Sequence, residues 1–245
     1  MTVNGLAGMQ YGISKAYSSY NKYLQQGSTG KKINSASDDA AGLAISSKMQ
    51  AQISLSDQKA ANALDSVSFS DVKEGALSGV AEGLRRMKTL ASSASNSFYG
   101  ADEKSAIQLE IDGLKSDISD IMDKTEFNGV KVFEDGAFEN LGIKDFSVTG
   151  DSIDTDSLDS AINSVSLQRA KEGATTNSLR SSINYLNNST YNLTSSMSRI
   201  SDTDISSLST RLAQQKVMFQ YKTAMQNNGS KLSSALTYGM LNMLK

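Results

Sequence analysis

Histidine and cysteine, the side chains that most often act as general base, metal ligand or nucleophile near neutral pH, are both absent from this 245-residue chain. Without Cys there is no disulfide framework, no thiol nucleophile and no thiolate zinc site. Without His, the usual general base and commonest metal ligand is missing. Paired carboxylates or a Ser/Lys couple remain as options, but the 26 Asp and Glu residues are spread along helix surfaces instead of converging on one place. The chain is therefore read as a non-enzyme, with no catalytic residue, no metal site and no cofactor. The stretch from Lys31 to Ser47 has a structural reading instead. It joins a short uncharged amphipathic segment to a long helical one. There Ser37 can accept a hydrogen bond from a free N–H of the helix start, and Asp38 and Asp39 in the first turn oppose the helix dipole.

The basic residues do no more. Formal net charge is −2, and the pairs Lys31-Lys32 and Arg85-Arg86 are too short to attract nucleic acid. No apolar run reaches membrane-spanning length, and residues 1 to 24 lack the basic start, apolar middle and small-residue cleavage site of a secretory signal. With 38% hydrophobic and 20% charged residues the composition is that of a soluble globular protein, but aromatics at 7% and no Trp leave few bulky core residues. Helices packed side by side suit that supply better than a thick globular core.

The elements follow from the spacing of apolar residues. Leu6, Ile13 and Tyr20 form one row of a seven-residue repeat, and Met9, Ala16 and Tyr23 the row beside it, a coiled-coil-like stripe whose polar face carries Ser, Gln and Asn. Gly27 and Gly30 break that pattern. From Ser37 to about Asn96 the period is helical, which predicts a rod on the order of 80 Å long. Within it Gly75, Gly79 and Gly83 share one stripe. Each costs about 1 kcal/mol relative to Ala, so their alignment predicts close helix approach. Asp102 is a candidate cap for a third helix with Ile107, Ile111, Leu114, Ile118 and Ile121. Around Asn128-Gly129 the period changes to two, and Phe146 to Thr149 gives a second short extended run. Helix resumes near Thr155 with Leu158, Ile162 and Val165, then Leu179, Leu186, Leu193 and Ile200, and should pack antiparallel to the first-half rods. A last helix follows Asp202-Thr-Asp204, with Val217, Tyr221, Met225, Leu232, Leu236, Met240 and Leu244 approximating one stripe. Asn187, Asn188 and Asn192 each open an Asn-X-Ser/Thr sequon, read as accidental on a packed helix.

The plan is thus palindromic: terminal stripe, long rod, small β region, long rod, terminal stripe. The expected fold is mainly α, long antiparallel helical rods in a coiled-coil-like bundle with a small β-hairpin region at about 127–150. Residues 1–36 form an N-terminal helix and joint, 37–204 a rod domain and 205–245 a C-terminal helix.

Asn34-Ser-Ala-Ser-Asp-Asp-Ala-Ala-Gly-Leu-Ala-Ile-Ser46 closely resembles the signature near the start of bacterial flagellins. Glu74 to Leu77, Leu84 to Met87, Thr125 to Val132, Gln168 to Lys171, Asn192-Leu193, Ser198 to Asp202 and Thr223 to Met225 also resemble flagellin, in the family's order. The stretch from Phe133 to Leu158 is too short for a large outer domain, so the chain is similar to a minimal flagellin. Three features depart from the family. Gly27 replaces the usual Leu, the start around Val3-Asn4-Gly5 matches in part, and the end beyond Met225 is longer. Ser234 to Leu244 is somewhat similar to the hook-filament junction protein, although such proteins commonly carry Pro beside the Ser-Asp-Asp motif and this chain has none.

The resemblance implies a self-assembling filament subunit for motility, or alternatively a junction adaptor. It implies pairing of the terminal helices on assembly, with Leu6, Met9, Ile13, Tyr20, Met225, Leu232, Leu236 and Met240 as the polymerisation stripes. The implied partners are other copies of the chain, the flagellar export apparatus and a chaperone, the hook-associated junction and cap proteins, and a vertebrate Toll-like receptor. The receptor patch falls by alignment on Arg86, Leu90 and Glu110, with Thr89 in place of the usual Glu and Arg85 of the frequent Gln. The implied location is an extracellular filament, reached without a cleaved signal peptide. Neither nucleic acid nor membrane is an expected partner.

Overall fold

The computed structural model describes residues 3–149 and 153–243, without the side chains of 3–7, 236–237 and 240–243. Leu6, Leu236 and Met240 are therefore described by backbone alone, and Leu244 lies outside the described residues. In chain order the elements are α1 (Val3–Thr29), α2 (Ala40–Ala94), α3 (Ala101–Lys124), β1 (Glu126–Phe127), β2 (Val130–Lys131), a 3-10 turn (Glu139–Leu141), α4 (Asp156–Ser201) and α5 (Ile205–Met243). They form two compact units, one of residues 1–54 with 190–245 and one of 55–189, so α2 and α4 contribute to both.

The unit of residues 55–189 holds the main core. Leu77, Val80, Leu84, Met87 and Ala91 of α2 meet Ile111 and Ile118 of α3 and Leu158, Ala161 and Val165 of α4, all at most 2% exposed. Full burial of each such aliphatic side chain contributes about 1.5–3 kcal/mol. A Cβ on Gly79 would lie 3.4 Å from Ile121 Cδ1, and one on Gly83 would lie 3.0 Å from Ile118 Cγ1. The expected close approach therefore occurs at those two glycines and not at Gly75, which has nothing within 4 Å. Ion pairs fix the antiparallel register of α2 on α4: Lys73 with Glu172 at 3.0 Å, Glu74 with Arg169 at 2.6 Å, and Lys88 with Asp159.

The segment after α3 packs on the same core. Asn128 (φ 51°) and Gly129 (φ 77°) both take the left-handed conformation that a tight hairpin turn requires, and Phe127 pairs with Val130. The second expected extended run is not a strand. Phe146 and Val148 are buried as the period of two implies, but their backbone is held by α3 side chains instead of a neighbouring strand. Gln108 Oε1 accepts hydrogen bonds from Val148 N–H (2.7 Å) and Ser147 Oγ (3.1 Å), while Lys115 Nζ donates to the carbonyls of Lys144 (3.2 Å) and Phe146 (3.0 Å). Alternating burial needs only one apolar floor, whereas a strand needs a partner backbone. Helix α3 also starts differently from expectation. Its N-cap is Gly100, whose N–H donates to Glu103 Oε2 at 3.0 Å, and Asp102 lies in the first turn.

In the unit of residues 1–54 and 190–245, α1 continues through Gly27, where a Cβ would lie 3.3 Å from Leu208 Cδ2. Gly30 (φ 69°) ends it, in the left-handed conformation favoured just past a helix C-terminus. The two interhelical turns are then clasped: Lys31 bridges Asp202, Lys32 N–H donates to the Ser201 carbonyl (2.7 Å), and Thr203 N–H to that of Gly30 (2.9 Å).

The cap of α2 is Asp39, not Ser37. Asp39 Oδ1 accepts from Gly42 N–H at 2.8 Å, and Ser37 Oγ bonds Ser35 Oγ instead. Asp38 stands one residue before that cap and closes the joint. Its carboxylate accepts from Asn34 N–H (3.0 Å) and Ser35 N–H (3.1 Å) and pairs with Lys22 at 2.8 Å. Lys22 first, and then these backbone N–H groups, lower the Asp38 pKa to about 2. A Cβ on Gly42 would meet Asp39 Oδ2 at 2.4 Å and Cδ1 of buried Ile33 at 2.7 Å, so a larger residue there would displace the capping carboxylate and the tip of Ile33.

Candidate functional site

Among the described residues, no group of three or more Asp or Glu side chains is arranged to hold a metal ion, and no helix is long and apolar enough to cross a membrane. What the fold does build is exposed apolar surface, and half of the large apolar side chains exposed among the described residues lie on the terminal helices.

Helices α1 and α5 lie antiparallel within one chain. Leu208 lies against Gly27, the Phe219 ring centroid is 5.7 Å from that of Tyr17, Lys222 Nζ donates to the Gly12 carbonyl at 3.1 Å, and Gln226 bonds Gln10. Ala16 is 5% exposed and Leu208 4%, which marks the seam. Glycine or alanine at Gly12, Ala16 and Gly27 lets the two backbones approach. On α1 the stripe residues Met9, Ile13 and Tyr20 are half-buried on the seam side.

On α5 the expected stripe points elsewhere. Met225 and Leu232 are 44% and 56% exposed, together with Val217, Met218 and Tyr221. At about 100° per residue these five side chains fall within an arc of roughly 100°, whose centre lies about a third of a turn from the α1-facing residues Leu208, Phe219 and Gln226, with Met218 at its α1-ward edge. Met218 was not anticipated from the sequence, because it sits at the edge of the repeat. Around α5, therefore, one apolar face meets α1 and a second is left in solvent. Sequence periodicity alone does not decide which face meets α1, since it reports that residues are apolar and not which partner covers them.

The structure brings together two of the three patch residues taken from the family. Arg86 Nε and Nη2 donate to Glu110 Oε1 at 3.0 and 2.6 Å, from adjacent helices α2 and α3, and both side chains are about half exposed. Leu90, one turn on from Arg86, is 8% exposed and belongs to the core shared by α2, α3 and α4. The solvent-facing part of this patch is thus a charged pair standing over a buried leucine. Nearby on α3, Lys115 first, and Gln108 second, hold the Asp112 carboxyl below its usual range.

Comparison with known proteins agrees with this architecture. Residues 5–137 match the family model of the bacterial flagellin N-terminal helical region, and residues 155–234 that of the bacterial flagellin C-terminal helical region. The chain is 32% identical to a flagellin of Bacillus subtilis (strain 168), over 87% of this chain and 90% of that protein. It is 31% identical to a flagellin of Halalkalibacterium halodurans, over 83% and 85%, and 29% identical to the flagellar filament 33 kDa core protein of Treponema phagedenis, over 84% and 87%. These matches do not favour the junction adaptor. They span both halves of the palindrome in order, and the chain therefore belongs to the bacterial flagellin family and is a structural subunit of the flagellar filament.

Proposed function

We propose that the chain polymerises through its terminal helices, with the solvent face of α5 covered by neighbouring copies in the filament. The observation that carries this is the row Val217, Met218, Tyr221, Met225 and Leu232, apolar, exposed and turned away from α1. A contiguous apolar face of this kind marks an interaction surface. Residues 1–36 and 205–245 then act as the filament-core helices and 37–204 as the rod domain. The terminal helices are marginal in the free subunit, since isolated helices depend on packing, and become fully ordered on assembly.

The role is mechanical and not enzymatic. Other partners are the export apparatus with its chaperone, and the junction and cap proteins at the ends of the filament. Export proceeds unfolded. The composition suits that route, because with no Cys and no Pro the emerging chain meets neither disulfide pairing nor prolyl isomerisation as a slow folding step.

The test uses sheared filament seeds. Purified full-length subunit elongates them without limit, whereas chains lacking residues 1–30 or 205–245 stay folded and add nothing. The main core supports the folded outcome, since its buried residues all lie between Leu77 and Val165. A truncated chain that still builds filaments overturns the assignment of these helices, and arrest after one ring of copies supports the junction adaptor.

A second reading rests on the exposed Arg86–Glu110 pair. Arg86 presents a planar charge and Glu110 its complement on one face, a suitable anchor for a vertebrate Toll-like receptor acting on the monomer. Equal reporter-cell activation by wild type and Arg86→Ala removes Arg86 from that site.

A further inference from the structure

We infer that Met218 and Met225 form an oxidation site that governs whether a subunit can assemble. The inference rests on the α5 face being the polymerisation surface, and it adds a chemical control on that face. The chain has ten methionines, and the fold grades those whose side chains are described, with Met9, Met49 and Met197 half-buried between two extremes. Met87 is 0% exposed and Met122 6%, sealed in the core of residues 55–189, whereas Met218 and Met225 are 45% and 44% exposed. These two are seven residues apart, hence on one side of α5, and Tyr221 and Leu232 flank them on the same arc.

The chemistry needs only a hydroperoxide. The thioether sulfur attacks one oxygen of hydrogen peroxide, the sulfur–oxygen bond forms as the O–O bond breaks, and the other oxygen leaves as water, taking the proton lost from the transferred oxygen. The sulfur is oxidised by two electrons and the peroxide reduced by two. Access to the sulfur sets the rate, so the exposed pair reacts ahead of the core pair. The product is a polar sulfoxide in the middle of an apolar face. Burying that group against another copy without a hydrogen-bond partner is unfavourable, and two such groups on one face disfavour it twice over. Helix α5 itself loses little, because neither methionine faces α1. Oxidation therefore leaves a folded subunit that cannot add to a filament. Within a filament both sulfurs are covered and protected.

The experiment exposes free subunit and preformed filaments to hydrogen peroxide and maps sulfoxides by peptide mass spectrometry, then measures seeded elongation. In the free subunit Met218 and Met225 oxidise well before Met87 and Met122, and in filaments both react at least about tenfold more slowly. Elongation by the oxidised subunit falls about tenfold or more. Methionine sulfoxide reductases restore it, and the volume-conserving Met218→Leu/Met225→Leu variant elongates seeds equally before and after peroxide. Undiminished elongation by subunit oxidised at both positions overturns the inference, as does equal reactivity in free and filament forms. Peroxide-sensitive elongation by the double variant also overturns it, by moving the effect to other methionines. If untreated subunit fails to elongate seeds, it is the polymerisation reading that falls, and the order of sulfoxide formation still decides the site.

Discussion

A Cβ placed on Gly83 would lie 3.0 Å from Cγ1 and 3.1 Å from Cδ1 of Ile118, a core side chain 1% exposed. Gly75, two turns earlier on the same helix, has nothing within 4 Å. The two glycines are therefore opposite cases of the same substitution. Gly75→Ala should stabilise the protein by up to about 1 kcal/mol, the helix-propensity difference. Gly83→Ala gains the same propensity but forces α2 and α3 apart, and overpacking of this kind costs about 1–3 kcal/mol. Thermal unfolding should show Gly75→Ala at or above wild type and Gly83→Ala below it, and the reverse order would refute the close-approach account.

Asp38 links stability of the joint to pH. Its carboxyl is lowered from 3.8 to about 2, by Lys22 first and then by the N–H groups of Asn34 and Ser35. For a depressed carboxyl the stabilisation is present above the unfolded-state pKa and is lost as pH falls through the folded-state one. Asp38→Asn should therefore be less stable than wild type at neutral pH. The gap should narrow below about pH 4 and close near pH 2. Denaturant titrations of both proteins at pH 7, 4 and 2.5 measure it, and a gap independent of pH would show that the charge is irrelevant.

Arg86 and Leu90 should separate by mechanism. Leu90 lies in the core at 8% exposure, so Leu90→Ala should destabilise the fold by about 2–4 kcal/mol. Arg86 forms an exposed ion pair, and Arg86→Ala should change stability by no more than about 1 kcal/mol. Any loss of receptor activation by Arg86→Ala then reports contact, whereas a loss by Leu90→Ala should track its lowered melting temperature.

A Cβ placed on Gly27 of α1 would lie 3.3 Å from Cδ2 of Leu208 on α5. Gly27→Leu, which introduces the residue usual in the family, should therefore weaken the pairing. Leu208→Ala opens a cavity beside Gly27, and the double substitution should recover much of both losses. A double-mutant cycle on thermal stability should show a coupling of about 0.5–3 kcal/mol, and strict additivity would mean that the two positions do not share one space.

Local periodicity and composition were sufficient for much of this molecule. The absence of His and Cys removed most catalytic schemes, the apolar spacing located five helices, and Asn128-Gly129 located the hairpin turn, because each depends only on residues near one another in sequence. Partnership depended on the tertiary structure. Ser37, Asp38 and Asp39 are all competent caps, and the choice of Asp39 follows from Lys22 drawing Asp38 into the joint. Phe146 and Val148 alternate like a strand, yet Gln108 and Lys115, more than thirty residues away, supply their backbone partners. Leu90 reads as part of an exposed patch by alignment with Arg86 and lies in the core because α3 and α4 cover it. The α5 stripe can be read from its spacing but its cover cannot: α1 packs on Leu208 and Phe219 and leaves Val217, Tyr221, Met225 and Leu232 exposed. A repeat records which side chains avoid water, and only the packed chain decides which neighbour removes them from it.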